Sequence, residues 1–194
     1  AVYTELCSRL DMDNFLRYCA IELCVANVDW PDNNCKGYRW YSAIDDYSKE
    51  GTDGKWRFLL YDLDLSMGRL PETTGDTPSL GLVLGVENNG WRQQFSLLRG
   101  LLKREDVRQQ FTAILEEYLN GAFSTENAKK RLEEIEAEMD DELTWQIRVF
   151  SEKKAEKEGL DAEEVYAEKT AQHANEIDII EEFWEKRPEM MRQE

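Results

Sequence analysis

Apolar and polar positions recur with two different periods along this chain, and the change of period divides it. Met12, Phe15, Leu16, Cys19, Ala20, Leu23 and Asn27 follow the i, i+3, i+4, i+7 spacing that lines up one helix face. Asp11 precedes them with a side-chain oxygen suited to the first free N–H groups, so a helix is predicted over about 12–26. Further on, "YRWYSA" and "KWRFLLYDLD" are dense in apolar and aromatic residues, and the polar "DDYSKEGTDG" separates them. That arrangement predicts an antiparallel hairpin, with strands confined to about 36–64. Residues 66–90 carry Gly68, Gly75, Gly81, Gly85 and Gly90 with Pro71 and Pro78, which predicts a long loop.

After Trp91 the helical period returns. Val107, Phe111, Ile114, Leu115 and Tyr118 form one apolar face, closed by Asn120-Gly121. Ser124 caps a long helix to about residue 155, and Asp161 with Glu164 forms a capping pair for a last helix ending before Pro188. The acidic "SEKKAEKEGLDAEE" between them is expected to be a solvated connector. The fold class is therefore α+β and predominantly helical, with well over half the residues in helices and a small β-hairpin.

Composition narrows what such a chain can do. With 194 residues, 41% of them apolar, and six Trp, eight Tyr and seven Phe, it can bury the core of one domain with a helical annex. The 24 basic and 41 acidic residues give a formal charge of −17, which repels a nucleic-acid backbone, so no nucleic acid is expected as partner. The acids crowd into 116–194, where they coat solvated helix faces. No run approaches the roughly 20 apolar residues of a spanning helix, so no membrane insertion is expected. The start at Ala1, without Met or a signal-peptide pattern, suggests an excised piece of a longer protein and leaves the compartment open. Cys7, Cys19, Cys24 and Cys35 lack paired zinc-site spacing and are read as buried thiols, with one or two disulfides still open. His173, the single histidine, sits among Glu and Lys without a nucleophile near it, and a packing role is expected.

Candidate chemistry lies between residues 25 and 68. In an extended second strand Trp56, Phe58, Leu60, Asp62 and Asp64 share one face while Arg57, Leu59, Tyr61 and Leu63 share the other. Acids that continue a buried face are costly unless paired, hydrogen-bonded or bound to a cation, which singles out Asp62 and Asp64. Upstream, "VANVDWPDNNCKGYRW" places Asp29, Asp32, Asn33 and Asn34 around a turn between the helix and the first strand. Turn chemistry alone accounts for such residues, and so does a site for a metal and a phosphate.

Order and spacing carry a resemblance. Helix, Asp29, Asn34 five residues later, hairpin, then Asp62 resembles the catalytic segment of a protein-kinase C-lobe, where an Asp accepts the hydroxyl proton and an Asn and a second Asp hold magnesium. "VDWPDNN" lies on the R-D-L-K-P-E-N pattern and "YDLDLSMG" on D-F-G, but no His-Arg precedes Asp29, and Asp64-Leu65 replaces Gly. With those departures the chain resembles the CotH kinase family, on "LDMDNFLRYCAIELCVANVDWPDNN", "KWRFLLYDLDLSMG", "FSLLRGLLKREDVRQQFTAILEEYLNGAFSTE" and "FWEKRPEMMRQ".

The resemblance implies an atypical kinase C-lobe over 1–194, with a motif-bearing core at 1–121 and a helical extension at 122–194. It implies ATP- and Mg²⁺- or Mn²⁺-dependent phosphoryl transfer to Ser or Thr of a protein substrate, and an extracellular, cell-surface or spore-coat location. Asp29 is the implied catalytic Asp, with Asn34 and Asp62 as ligands and Asn33 and Asp64 as second choices. The family's N-terminal lobe, which supplies a basic residue to the phosphates, is expected to lie before Ala1. Lys36 and Lys55 are read as solvated cations. The competing reading is a surface or coat-associated binding module whose degenerate site holds a divalent cation such as Ca²⁺.

Overall fold

The computed structural model describes residues 1–41, 51–86 and 95–194. Its elements are α1 (Val2–Arg9), α2 (Met12–Cys24), β1 (Lys36–Arg39), β2 (Trp56–Leu59), α3 (Ser79–Leu84), α4 (Ser96–Leu101), α5 (Glu105–Asn120), α6 (Thr125–Glu158) and α7 (Ala162–Gln193), with a 3₁₀ turn at Pro71–Thr73. Helices take up 67% of it and the one sheet is the hairpin, so the chain is α+β and predominantly helical.

Helix α2 is the hub, packing on α3, α5, α7 and β2. Asp11 caps it as predicted, accepting the Asn14 N–H at 3.1 Å. Phe15, Leu16, Cys19, Ala20 and Cys24 are fully buried, because an i, i+3, i+4 stripe widened by Tyr18 and Leu23 leaves little of this helix facing water. Against it lie Val107, Phe111, Ile114, Leu115 and Leu119 of α5, Val83 of α3, and Leu98 and Leu101 of α4.

The hairpin is fastened to α2 by a side chain acting as a strand. The Asn14 amide accepts the Phe58 N–H at 2.7 Å and donates to the Phe58 carbonyl at 3.2 Å. Arg57 adds ion pairs to Asp11 at 2.8 Å and Asp53 at 2.7 Å. Strand register pairs Lys36 with Leu59 and Arg39 with Trp56. Most of the predicted hairpin loop lies outside the described residues, as do Gly90 and Trp91.

Four expectations are corrected. The second strand stops at Leu59 instead of reaching Asp64, and Trp56 and Leu60 are about half exposed, so the supposed buried face holds only Phe58. The long loop of 66–90 contains the 3₁₀ turn and α3, because Ser79, Leu82 and Val83 find the core that glycine content concealed. The acidic connector is helical: α6 runs to Glu158, Gly159 closes it with φ 70°, and α7 starts at Ala162 with Asp161 accepting the Glu163 and Glu164 N–H groups. Finally, α7 passes through Pro188. Proline at 188 has no N–H for the Trp184 carbonyl, and the Thr125 hydroxyl supplies the missing donor at 2.8 Å.

The antiparallel α6–α7 hairpin is closed by Lys129–Glu185 at 2.6 Å and Arg148–Glu163 at 2.7 Å, and only Ser151 and Ala155 of α6 are buried. Its base is well packed: Phe183 and Trp184 join Val25 and Ala26 in a second core cluster. All four cysteines are free thiols; Cys19 and Cys24 are buried, Cys7 half-buried and Cys35 exposed. Among the described residues no helix is long and apolar enough to cross a membrane.

Candidate active site

Helix α2 ends in a left-handed turn that aims the chain at the candidate site. The Ala26 N–H returns to the Leu23 carbonyl at 3.0 Å and the Asn27 N–H to Glu22 at 3.2 Å, with Ala26 at φ 53°. This is the Schellman pattern, with Ala in the place glycine usually takes. Backbone bonds then tie the segment to the chain beyond the hairpin, Val28 N–H to Leu65 at 3.1 Å and Met67 N–H to Val25 at 3.0 Å. Two stretches almost forty residues apart in sequence are thereby held side by side.

Asp29 is half-buried in the turn. The Asn34 amide donates to its carboxylate at 3.1 Å and lies 3.5 Å from the Asp62 main-chain carbonyl. Three of the predicted residues therefore meet through Asn34. Asn33 contributes through its backbone, its N–H bonding the Asp29 carbonyl at 2.7 Å, and its side chain is exposed. Asp62 and Asp64 are exposed as well, so the argument from burial that singled them out is corrected. Asp62 has φ 59°, a left-handed backbone that breaks the strand alternation placing it with Phe58 and Asp64.

Every non-glycine residue with positive φ among the described ones, Ala26, Asn34, Asp62 and Met67, belongs to these two stretches. Such conformations cost of order 1–3 kcal/mol each for most residues and gather at functional sites. Below the turn, Trp30 is buried edge-on against Phe95 at 5.3 Å and Tyr18 at 6.1 Å, and Tyr18 stacks on Phe58 at 5.2 Å. One aromatic block thus supports both the turn and the hairpin. Lys36 sits 3.0 Å above the Tyr61 ring with its side chain exposed.

The donor set of Asp29, Asn34 and Asp62 is all oxygen and amide, which suits a hard cation such as Mg²⁺ or Ca²⁺. Among the described residues no three Asp, Glu, His or Cys side chains gather as a metal site, so an ion here depends on the Asn34 amide and the Asp62 backbone region as much as on carboxylates.

A family model described as CotH kinase protein matches residues 1–191. The chain belongs to the CotH kinase family. No curated protein and no solved structure matches it. Family membership makes the chain kinase-like, and in this chain the Asn34 amide lies between the Asp29 carboxylate and the Asp62 main-chain carbonyl.

Several residues that shape the candidate site were not singled out in the sequence. Glu22 is buried beneath the turn, its carboxylate taking the Asn27 amide at 2.8 Å. Arg187 of α7 is wholly buried and donates to the carbonyls of Leu23, Cys24 (3.0 Å) and Thr77 (2.6 Å) and to the Ser79 hydroxyl (2.7 Å). It therefore holds the negative end of α2 directly behind the turn. A charged residue within "FWEKRPEMM" reads as surface, and only its fully buried environment reveals the role. His173 is half-buried in a groove of about 500 Å³ between α6 and α7, beside Phe150, Lys169 and Glu176, in keeping with a packing role.

Proposed function

We propose that this chain provides the catalytic and cation-binding part of an ATP- and Mg²⁺-dependent kinase that phosphorylates Ser or Thr hydroxyls of a protein substrate. The observation that carries the reading is the Asn34 amide lying 3.1 Å from the Asp29 carboxylate and 3.5 Å from the Asp62 carbonyl. In this reading Asp29 orients the substrate hydroxyl and accepts its proton, and the turn bonds from Asn27 and Asn33 hold Asp29 in place. Asn34 and Asp62 would hold the cation, with Asn33 and Asp64 as the neighbouring oxygen donors. When bound, Mg²⁺ or Mn²⁺ offsets the charge of the triphosphate. The exposed Lys36 and half-buried Lys55 are the lysines nearest in sequence to Asn34 and Asp62, and residues 1–24 contain no glycine. Residues 1–194 alone are therefore expected to bind the cation weakly and to transfer no phosphate, whereas a longer parent protein carrying a phosphate clamp is expected to do so.

Two measurements test this. Mg²⁺ or Mn²⁺ should raise the melting temperature of the chain by mass action, and Asp62→Ala should erase that rise while the metal-free protein stays folded. Asp29→Asn in the parent should abolish phosphate incorporation into protein yet keep the cation-dependent rise. A rise untouched by Asp62→Ala, or phosphate transfer unaffected by Asp29→Asn, would refute the assignment. A cation-dependent rise in a parent that never transfers phosphate would favour the binding-module reading.

A further inference from the structure

Beneath the turn runs a chain of hydrogen bonds that helix termination does not need. In the Schellman pattern the residue after the left-handed position commonly makes an apolar contact with the one five places before it. In this chain those two residues are Asn27 and Glu22, each about 1% exposed, and the contact is a carboxylate–amide bond of 2.8 Å. Burying a carboxylate and an amide costs more than burying two apolar groups, so the ending of α2 gives no reason for them. The bond on the other side does. Asn27 Oδ1 accepts the Asp29 N–H at 3.1 Å. A carboxylate oxygen only accepts and a peptide N–H only donates, so Glu22 and Asp29 together allow one orientation of the Asn27 amide.

We propose that Glu22 and Asn27 are positioning residues, a buried relay through which the protonation of Glu22 is felt at the backbone of Asp29. The second Glu22 oxygen, Oε1, is buried in the neighbourhood of the Tyr18 hydroxyl, which favours the charged carboxylate, and neither atom has another hydrogen-bond partner among the described residues. A proton on Oε1 weakens Oε2 as the acceptor that holds Asn27. The titratable groups facing Glu22 are Tyr18 and Cys19 on its own helix. Burial raises both above their ordinary values, and they stay neutral through the range where Glu22 changes charge. Burial raises the Glu22 carboxyl to about 7, which puts the switch in the neutral range.

The relay rests on the proposed role of Asp29 for its purpose but not for its test. The Asp29 amide resonance of the chain, followed from about pH 5.5 to 8.5, should titrate with a midpoint near 7 together with the Asn27 side-chain NH₂. In Glu22→Gln, which keeps an acceptor for Asn27 but carries no charge, both should be flat. Glu22→Leu removes the acceptor, and amide exchange at Asp29 should quicken about tenfold, with Glu22→Gln restoring the slow rate. If Glu22→Leu does not fold, the titration of the unsubstituted chain decides alone. An Asp29 amide indifferent to Glu22 would overturn the relay even in a protein that transfers phosphate. A titrating amide in a protein that transfers none would support the relay and leave the kinase reading to fail separately.

Discussion

Two buried charges behind the turn set the energetics at the residue scale. Burial pushes the Glu22 carboxyl from an ordinary 4.5 up to about 7, with the Asn27 amide and the Tyr18 hydroxyl opposing the shift. A carboxyl raised in this way binds its proton more tightly when folded. Its cost is absent below about pH 4.5, grows as pH rises through the window to 7, and is fully present above. We therefore expect Glu22→Gln to flatten the fall in stability between pH 5 and 8 by about 2 kcal/mol, measured by urea unfolding at both pH values. An unchanged slope would show that Glu22 stays charged or exposed. Arg187 is the opposite case, a buried cation whose donors are met by carbonyls and a hydroxyl. Arg187→Met should cost about 3 kcal/mol, since the carbonyls at the end of α2 lose their donors, and Arg187→Lys should recover little because one ammonium cannot span four acceptors. Full recovery by Lys would reduce Arg187 to a point charge.

At the scale of elements, caps and pairings predicted from local chemistry recur as drawn, and the failures share one cause. Asp11, Ser124 and Asp161 cap α2, α6 and α7 through side-chain oxygens. Capping depends on residues within one turn and so is legible locally. The predicted stop before Pro188 failed because the partner for the orphaned Trp184 carbonyl comes from Thr125, 59 residues away. Thr125→Val should therefore cost about 1 kcal/mol, and far less in a Pro188→Ala background, where residue 188 regains an N–H for that carbonyl. Equal costs in both backgrounds would place the Thr125 hydroxyl outside this repair. Helix α3 was hidden in a glycine-rich stretch for a similar reason: its N-terminal Leu80 and Gly81 N–H groups are met by the Glu194 carboxylate at 3.2 and 2.8 Å, from the far end of the chain.

The whole molecule divides into a dense part around α2 and a long helical arm. Helix α6 buries only Ser151 and Ala155 and leaves Met139, Trp145 and Phe150 at least half exposed, whereas most of α2 is buried. Local opening follows buried apolar contact, so amides of residues 130–150 should exchange far faster than those of 15–24 under native conditions. Equal protection would mean that a surface still unassigned covers the arm. The candidate site belongs to the dense part, where the α2 end, the turn and the segment after the hairpin meet, and α7 closes it from behind through Arg187 and through Ile179, whose Cγ2 lies where a side chain at Gly68 would begin.

The sequence by itself determined what depends on neighbours within a few residues: the α2 stripe, the hairpin, the caps and the helical majority, and with them the resemblance to the CotH family. Motif order singled out Asp29, Asn34 and Asp62, whereas the argument from strand alternation rested on a strand that ends at Leu59, five residues short of Asp64. Tertiary structure alone decided the rest. That Asn34 bridges Asp29 to Asp62, that Asp62 leaves the strand in a left-handed turn, and that Glu22, Asn27 and Arg187 are buried are results of packing between segments 28 to 164 residues apart. Charged residues read as surface on any local scale, and burial with partners from distant carbonyls is a property no local window contains.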